Sequence, residues 1–511
     1  VTRDHRYLII GAGPGGLQLS YFLQRAGADY VTLEREESPG GFFRRYPRHR
    51  RLISLNKVHT GEKEREIQLR WDWNSLLNDD PDLGFASYSQ EYFPHADDLV
   101  RYLEDFQRVH GLRVRYGTPV LRVEKTGDRF AVHTDGEVYR ADCVIVATGW
   151  GGPYVPDIPG IELATGYEDA PTGGEEYTGQ RVLIIGKGNS AFETAQALLP
   201  YASVIHLASP SPVRLTWTSK HPGHVRGMYG ALLDSYWFKT LHAVLECTVD
   251  RIWREDGAYK AAITYTLADG ERAVLDYDAV VRCTGFTMDT GLFAGSCRPE
   301  LAPNGRMPAV RPDFQSANVD GLYFAGTLMQ ARDFKRASSA FIDGFRYNLR
   351  TLAALLCERY DGVPLRPREV PADAGALTDD VLARVNHSSA LWTQFEYLSD
   401  AYVVGGGTAR RYEDLPEDYA TARFAGEDLL LTVTLRWGPR DEHPDVFAIR
   451  RHPTPDRADE CAFLHPVVRV WRRGELVAER HLLEDLQARW QDPVRHVAPL
   501  REFLAGHVPA G

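Results

Sequence analysis

The sequence predicts an α/β fold of two parallel-sheet domains followed by an additional C-terminal α+β module. Three observations carry this. The apolar run Tyr7-Leu8-Ile9-Ile10 leads into Gly11-Ala12-Gly13-Pro14-Gly15-Gly16. The same grammar returns when Val182-Leu183-Ile184-Ile185 leads into Gly186-Lys187-Gly188-Asn189-Ser190-Ala191. After Pro364, Pro367 and Pro371, which mark a linker, the stretches Asp428 to Leu435 and Val467 to Trp471 alternate like strands.

Each glycine turn has the form of a Rossmann-like dinucleotide-binding domain, so two such domains are expected. In the first, Gly11 allows the tight turn, Gly13 lets the backbone approach a pyrophosphate, and Gly16 lets the helix pack near the strand. The helix opening at Pro14 and Gly15 aims free N–H groups at phosphates. The next strand, Tyr30 to Leu33, ends at Glu34, whose carboxylate suits ribose hydroxyls and repels a 2′-phosphate. That favours an adenosine diphosphate such as FAD. In the second unit the helix begins at Asn189, Ser190 and Ala191. Its following strand, Ser203 to Leu207, ends at Ala208 and Ser209, with no acid, and Arg214 lies just beyond. An arginine without a competing acid fits the 2′-phosphate of NADPH.

Composition narrows the function. A chain of 511 residues exceeds one ordinary core, so two to four domains are expected. The net charge of −11 argues against a nucleic-acid partner. The six cysteines are scattered with no CxxC spacing, so neither a disulfide framework nor a metal site is expected. His221, His224 and His242 lack ligand spacing and read as ordinary loop or surface residues. No apolar run is long enough to span a membrane, and no apolar signal region opens the chain. A cytoplasmic enzyme is expected.

The motifs resemble class B flavin-dependent monooxygenases, which include flavin-containing monooxygenases and N-hydroxylases. Glu34-Arg35 followed by Gly40-Gly41-Phe42-Phe43 is similar to that group's acid and Gly-Gly-x-Trp, with Phe43 in the Trp position. Leu52 to Lys57 resembles the segment whose Asn, here Asn56, sits beside the flavin C4a–N5 edge. Ala147-Thr148-Gly149 and Cys283-Thr284-Gly285 resemble the strand ends where the chain crosses between domains. The runs Tyr46 to Ser54, Asp72 to Leu77, Gly344 to Tyr347 and Phe463 to Pro466 resemble the FAD-dependent oxidoreductase domain-containing flavoproteins of the endoplasmic reticulum. The end Pro509-Ala510-Gly511 is no retention signal, so that cellular role is not carried over. The stretch Leu163 to Asp169 lacks the histidine of the monooxygenase linker pattern.

The resemblance implies an FAD domain in 1–150 and 286–365, an inserted NADPH domain in 151–285, and the added module in 366–511. It places Val120 near the adenine, and Gly326 and Thr327 at the ribitol, with Thr327 where Asp is usual. Phe341 stands near the helix expected from about Ser338 through Tyr347, whose N-terminus faces the flavin pyrimidine. Phe345 and Tyr347 read as core. Arg113 to Tyr116, Val120 to Lys125 and Phe130 to Thr134 read as a meander, Ala96 to Leu103 as an amphipathic helix, and Leu482 to Trp490 as a helix. Arg44, Arg45, Arg48, His49, Arg50, Arg51 and Lys57 read mostly as a solvated charge run.

The expected activity is an FAD- and NADPH-dependent monooxygenase using O2 to oxygenate nitrogen or sulfur of a small molecule through a C4a-(hydro)peroxyflavin. The catalytic candidate is Asn56, and Asp72 and Trp73 border the pocket. The alternatives are an NADPH-dependent flavin reductase or oxidase without oxygen insertion, and a binding protein stabilised by FAD. The C-terminal module covers the active site or makes a subunit interface, so a homo-oligomer stays open.

Overall fold

The computed structural model describes residues 2–237, 240–438 and 445–508; Val1 and Pro509-Ala510-Gly511 lie outside the described residues. The first sheet has a parallel core ordered Val114–Arg115, Tyr30–Leu33, Thr2–Ile10, Val138–Val146. Tyr7 to Ile10, Tyr30 to Leu33 and Cys143 to Val146 are all buried. Such continuous burial is what parallel strands covered on both faces require. On the edge away from Thr2–Ile10, Val138–Val146 is shared between two neighbours. Its first half pairs antiparallel with Arg129–Thr134, which pairs with Val120–Thr126. Its second half pairs in parallel with Leu322–Phe324.

That last pairing makes the second sheet an insertion. The chain leaves the first sheet after Val146, builds a second one, and returns to the strand it left. The second sheet has a parallel core of Ala243–Glu255, Val204–Ser209, Arg181–Ile185, Ala279–Arg282 and Thr165–Gly166. Ala258–Tyr265 and Arg272–Tyr277 extend it antiparallel. The outgoing and returning chains pair where they cross, Gly152–Pro153 against Phe286–Thr287.

The run Arg113 to Tyr116 does not join the meander. Its strand, Val114–Arg115, pairs in parallel with Thr32–Leu33 on the opposite edge. The preceding helix, Ala96–His110, turns at left-handed Gly111 and delivers the chain there. A strand–helix–strand crossover returns parallel beside its first strand, which a local pattern does not reveal. The guanidinium of Arg113 over the Tyr30 ring, 4.3 Å from its centroid, fixes the join.

The C-terminal module is a six-stranded antiparallel sheet ordered Arg368–Pro371, Thr408–Pro416, Leu398–Gly405, Leu430–Arg436, His465–Arg472, Glu475–His481. Helices Ala374–His387 and Ala498–His507 supply apolar residues to its core. The residues around Pro367 and Pro371, read as linker, form its edge strand, a place where a missing N–H costs little. Leu482 to Trp490 is not a helix. Asp485 accepts from the N–H groups of Gln487 and Arg489 at 2.9 and 3.0 Å, and Ala488 takes a φ of 53°. This side-chain turn competes with helix formation, while Leu482, Leu483 and Trp490 are buried without one.

Candidate functional site

The first glycine turn is built by close approach. Gly11 leaves the strand with a φ of 104°. A Cβ on Gly16 would lie 1.9 Å from the Gly11 carbonyl oxygen, and one on Gly15 would lie 2.7 Å from the Gly326 Cα. A Cβ on Gly13 would meet no described protein atom within 4 Å. Gly11, Gly15 and Gly16 are therefore held by packing, whereas Gly13 opens outward. Gly13 is the N-cap of the Pro14–Arg25 helix and supplies no side chain to its N–H groups. Those donors are available to an anion.

The Glu34 carboxylate lies at the lip of this turn. It accepts from the N–H of Ala12 at 2.6 Å and of Glu36 at 3.0 Å, and each oxygen retains a second acceptor site. Thr118 N–H donates to the Glu34 carbonyl at 2.8 Å, which brings the strand beginning at Val120 alongside. Arg35 is exposed, 3.4 Å from the Glu36 carboxylate. Gly149, with φ 62°, places its Cβ position 3.8 Å from the Thr327 methyl. Thr327 Oγ1 accepts from Gln330 at 2.8 Å. Thr148 Oγ1 is buried with no partner among the described residues. The helix near Phe341 spans Ile342–Asp361, starting later and running further than the sequence suggests. Phe341 is its N-cap and gives it no side-chain hydrogen bond, while Phe345 and Tyr347 are core.

The second turn repeats this construction. Gly186 has a φ of 127°, and a Cβ there would lie 2.2 Å from the Cys283 carbonyl oxygen. Gly188 opens outward as Gly13 does and caps the Asn189–Leu198 helix without a side chain. Ala191 is fully buried in the place of the third glycine. Asn189 faces sideways: its Nδ2 donates to the carbonyls of Gly223 and His224 at 3.0 and 3.1 Å. Ser190 is half-buried at the helix start. Beyond Ser209, Lys187 Nζ donates to the Ser211 carbonyl at 2.8 Å, and Arg214 is exposed.

Asn56 is buried, and its Nδ2 donates to the carbonyls of Ser89 at 2.7 Å and Glu91 at 3.3 Å. It bridges to Asp72, beside Trp73. Phe42 packs on Tyr46 and Phe286, with centroids 5.0 and 5.7 Å apart, and Phe43 on Phe42 at 5.5 Å. These rings close the crossover between the sheets. Most of the basic run is paired: Arg44 with Glu104, Arg45 with Glu36, Arg50 with Asp97, Arg51 with Glu91. His221, His224 and His242 are buried, not on the surface. His242 accepts from the Ile205 N–H at 3.0 Å, and burial drives His221 down to about 3 and His224 to about 4. No group of three metal-ligating side chains occurs among the described residues.

Residues 8–326 match the family model of the pyridine nucleotide-disulphide oxidoreductases. Over 98% of this chain and 84% of the relative's length, the sequence is 37% identical to FAD-dependent oxidoreductase domain-containing protein 2 of Mus musculus. It is 34% identical to the Danio rerio protein of that name, over 98% of this chain and 83% of that one. A flavin-containing monooxygenase from Stenotrophomonas maltophilia shares the fold, with a TM-score of 0.54 at 23% identity over 70% of this chain and 99% of that one. The chain belongs to this FAD-dependent oxidoreductase family.

An FAD-dependent oxidoreductase of this kind is an enzyme that binds FAD and NADPH. The residues fit two dinucleotides: Gly13 and Gly188 each leave room against an uncapped helix N-terminus, and Thr148 holds an orphaned hydroxyl. No helix among the described residues is long and apolar enough to cross a membrane.

Sequence reasoning missed three parts of this oxidoreductase. Glu193, buried in the Asn189–Leu198 helix, accepts from Tyr167 and, at 3.4 Å, from Tyr229. Burial pushes its carboxyl up to about 7. Gln394 of the C-terminal module accepts from the Ser338 N–H at 2.9 Å and donates to Ser339 and Asn348, both at 2.8 Å. It buttresses the loop before Phe341. Arg226 packs over Trp73 from the other sheet. An acid inside a helical apolar run was the one signal in the sequence for Glu193.

Proposed function

We propose that the first turn holds FAD and the second NADPH, and that the enzyme oxygenates nitrogen or sulfur of a small molecule with O2. The FAD part is then 1–150 with 286–365, the NADPH part 151–285, and the added module 366–511. When bound, the two cofactors supply hydride transfer and activation of oxygen. In the net reaction a hydride from NADPH and a proton reduce one oxygen atom to water, and the other joins the substrate.

The chain's residues bind, orient and exclude water. The N–H groups following Gly13 and Gly188 meet the two pyrophosphates. Glu34 accepts ribose hydroxyls, with Val120 at the adenine and Arg35 at the rim. Ser209 and Arg214 receive the 2′-phosphate. The N–H groups following Phe341 stabilise negative charge on the ring system. Asn56 fixes the 89–91 loop beside the reacting edge, and the rings of Phe42, Tyr46 and Phe286 keep solvent out of the crossover.

The observation that carries this reading is the cysteine placement. All six are buried and free, and none makes a CxxC pair. A disulfide-reducing relay needs an accessible dithiol. Oxygen is then the fitting acceptor for the electrons. The reductase or oxidase reading is favoured by one feature: the Leu163 to Asp169 segment lacks the linker histidine. Amines, amino acids and thioethers are supplied with NADPH and heavy-oxygen gas. A product carrying one labelled atom supports oxygenation. NADPH oxidation with all the label in hydrogen peroxide or water overturns it.

A further inference from the structure

The loop that follows the strand Val204–Ser209 crosses onto the first sheet's domain. There Arg226 is buried at 7% exposure. Its backbone is pinned to the second turn, since its N–H donates to Asn189 Oδ1 at 3.1 Å. Its guanidinium lies 5.1 Å from the centroid of the Trp73 ring. Trp73 N–H donates to the Leu55 carbonyl at 3.1 Å, next to Asn56, so the guanidinium stands beside the segment read as bordering the reacting edge.

What distinguishes Arg226 is unmet hydrogen bonding. Its Nε and Nη2 are buried with no partner among the described residues. A buried guanidinium with idle donors is costly unless something answers it. The surroundings do so only in part. Asp343, in the first turn of the Ile342–Asp361 helix, is the carboxyl whose field reaches Arg226, and no ion pair joins the two among the described residues. Asp343 Oδ1 is itself without a partner among the described residues, and burial raises that carboxyl to about 7. Burial also pulls Arg226 down to about 10.

The rest of the lining is neutral or apolar apart from Lys335 and Arg214, whose charges reach the His221 and His224 side of the loop. The ring of Phe341 stands 3.6 Å from the Cβ position of Gly223, on the same loop as Arg226. His221 and His224 are neutral by burial, and the Nε2 of His224 has no partner among the described residues. Tyr92, within electrostatic reach of Arg226, is half-exposed and gives the place an edge open to solvent. The Arg226 guanidinium, with two donors unpartnered among the described residues and an aromatic face beside it, matches a flat carboxylate.

We propose that Arg226 is the anchor for an oxygen anion, and that this anion is the carboxylate of the substrate. The substrate class is then an organic acid carrying an oxidisable nitrogen or sulfur on an apolar body. This rests on the reading under Proposed function for which side of the site reacts. A phosphate of NADPH offers the same chemistry. Its expected anchors are Ser209 and Arg214, and the Arg214 carbonyl accepts from the Val225 N–H at 3.1 Å, next to Arg226 in the chain, so the NADPH requirement of Arg226→Gln distinguishes the two anions.

The test uses the oxidised, FAD-loaded enzyme, which needs no turnover, so it stands whether or not oxygen is inserted. Benzoate and its uncharged counterpart benzamide are titrated against the flavin absorbance. Benzoate is expected to perturb the spectrum to saturation and to bind at least about tenfold tighter than benzamide. Arg226→Gln is expected to abolish benzoate binding and leave the concentration of NADPH for half-maximal anaerobic reduction unchanged, with Arg226→Lys between. Equal binding of benzoate and benzamide, or none, overturns the proposal. So does unchanged benzoate binding with a markedly raised NADPH requirement in Arg226→Gln, which assigns the anion to the cofactor. If Arg226→Gln loses FAD, the benzoate and benzamide comparison on the unaltered enzyme decides alone.

Discussion

The backbone N–H of Arg48 donates to the Tyr167 hydroxyl at 2.8 Å, a hydrogen bond between the first sheet's domain and the inserted one. Arg48 Nη2 reinforces it on the Ala170 carbonyl at 3.1 Å, and the Tyr46 and Tyr167 rings stack at 5.9 Å. Tyr167 passes its own proton toward Glu193. Tyr167→Phe leaves a backbone donor and a buried carboxyl short of partners, at a cost of about 1–3 kcal/mol. The expected variant keeps its FAD, unfolds at lower denaturant, and is reduced more slowly by NADPH because the inserted domain is less firmly placed. Unchanged reduction kinetics would show that the latch does not position the domain.

Glu193 makes stability depend on pH. Its folded carboxyl keeps its proton up to about 7, against an ordinary value of 4.5. Between those values the folded state holds the extra proton, so stability falls as pH rises, and the loss is complete above about 7. The span corresponds to about 3 kcal/mol. Asp343, also raised to about 7, pushes in the same direction. Glu193→Gln retains an acceptor for Tyr167 without the titration. Denaturant unfolding of the FAD-loaded enzyme should find the variant level with the parent near pH 5 and more stable near pH 8. An identical pH slope in both proteins refutes the assignment.

The glycines separate folding from binding. Gly16→Ala drives a methyl into the Gly11 carbonyl, and Gly15→Ala into Gly326, so both should fail to fold or to retain FAD. Gly13→Ala meets no protein atom, so it should fold with normal secondary structure by circular dichroism while the yellow cofactor washes off. Gly188→Ala should keep FAD and lose NADPH affinity. A Gly13→Ala protein with full FAD content would remove the first turn from the cofactor site.

What the sequence displayed was whatever depends on neighbours along the chain. Both glycine turns, Glu34 at the end of its strand, and the strand ends at Thr148 and Thr284 are short-range grammar, and the insertion follows from their order. What stayed hidden depends on distant partners. Val114–Arg115 chose the far edge of its sheet because a helix delivered it there. Leu482 to Trp490 has helical apolar spacing, yet Asp485 folds it into a turn. His221 and His224 look like loop residues until the loop is buried against Phe341, and Gln394 gives no hint that its partners lie in Ser338, Ser339 and Asn348. A buried polar group is recognisable only once its partner is in place.

Asn56 gives the most direct assay of the proposed reacting edge. Both hydrogens of its amide are committed, to the Ser89 and Glu91 carbonyls, and its backbone N–H donates to the Tyr92 carbonyl at 3.0 Å. Asn56→Ala leaves two carbonyls without donors, costing about 1–3 kcal/mol, and loosens the 89–91 loop. FAD should stay bound and NADPH should still be consumed, with hydrogen peroxide replacing oxygenated product. Asn56→Asp sets a carboxylate against two carbonyl oxygens, so acceptor faces acceptor, and it should be the less stable variant by thermal unfolding. If Asn56→Asp matches the parent in both melting temperature and peroxide release, the amide neither holds the loop nor serves the reaction.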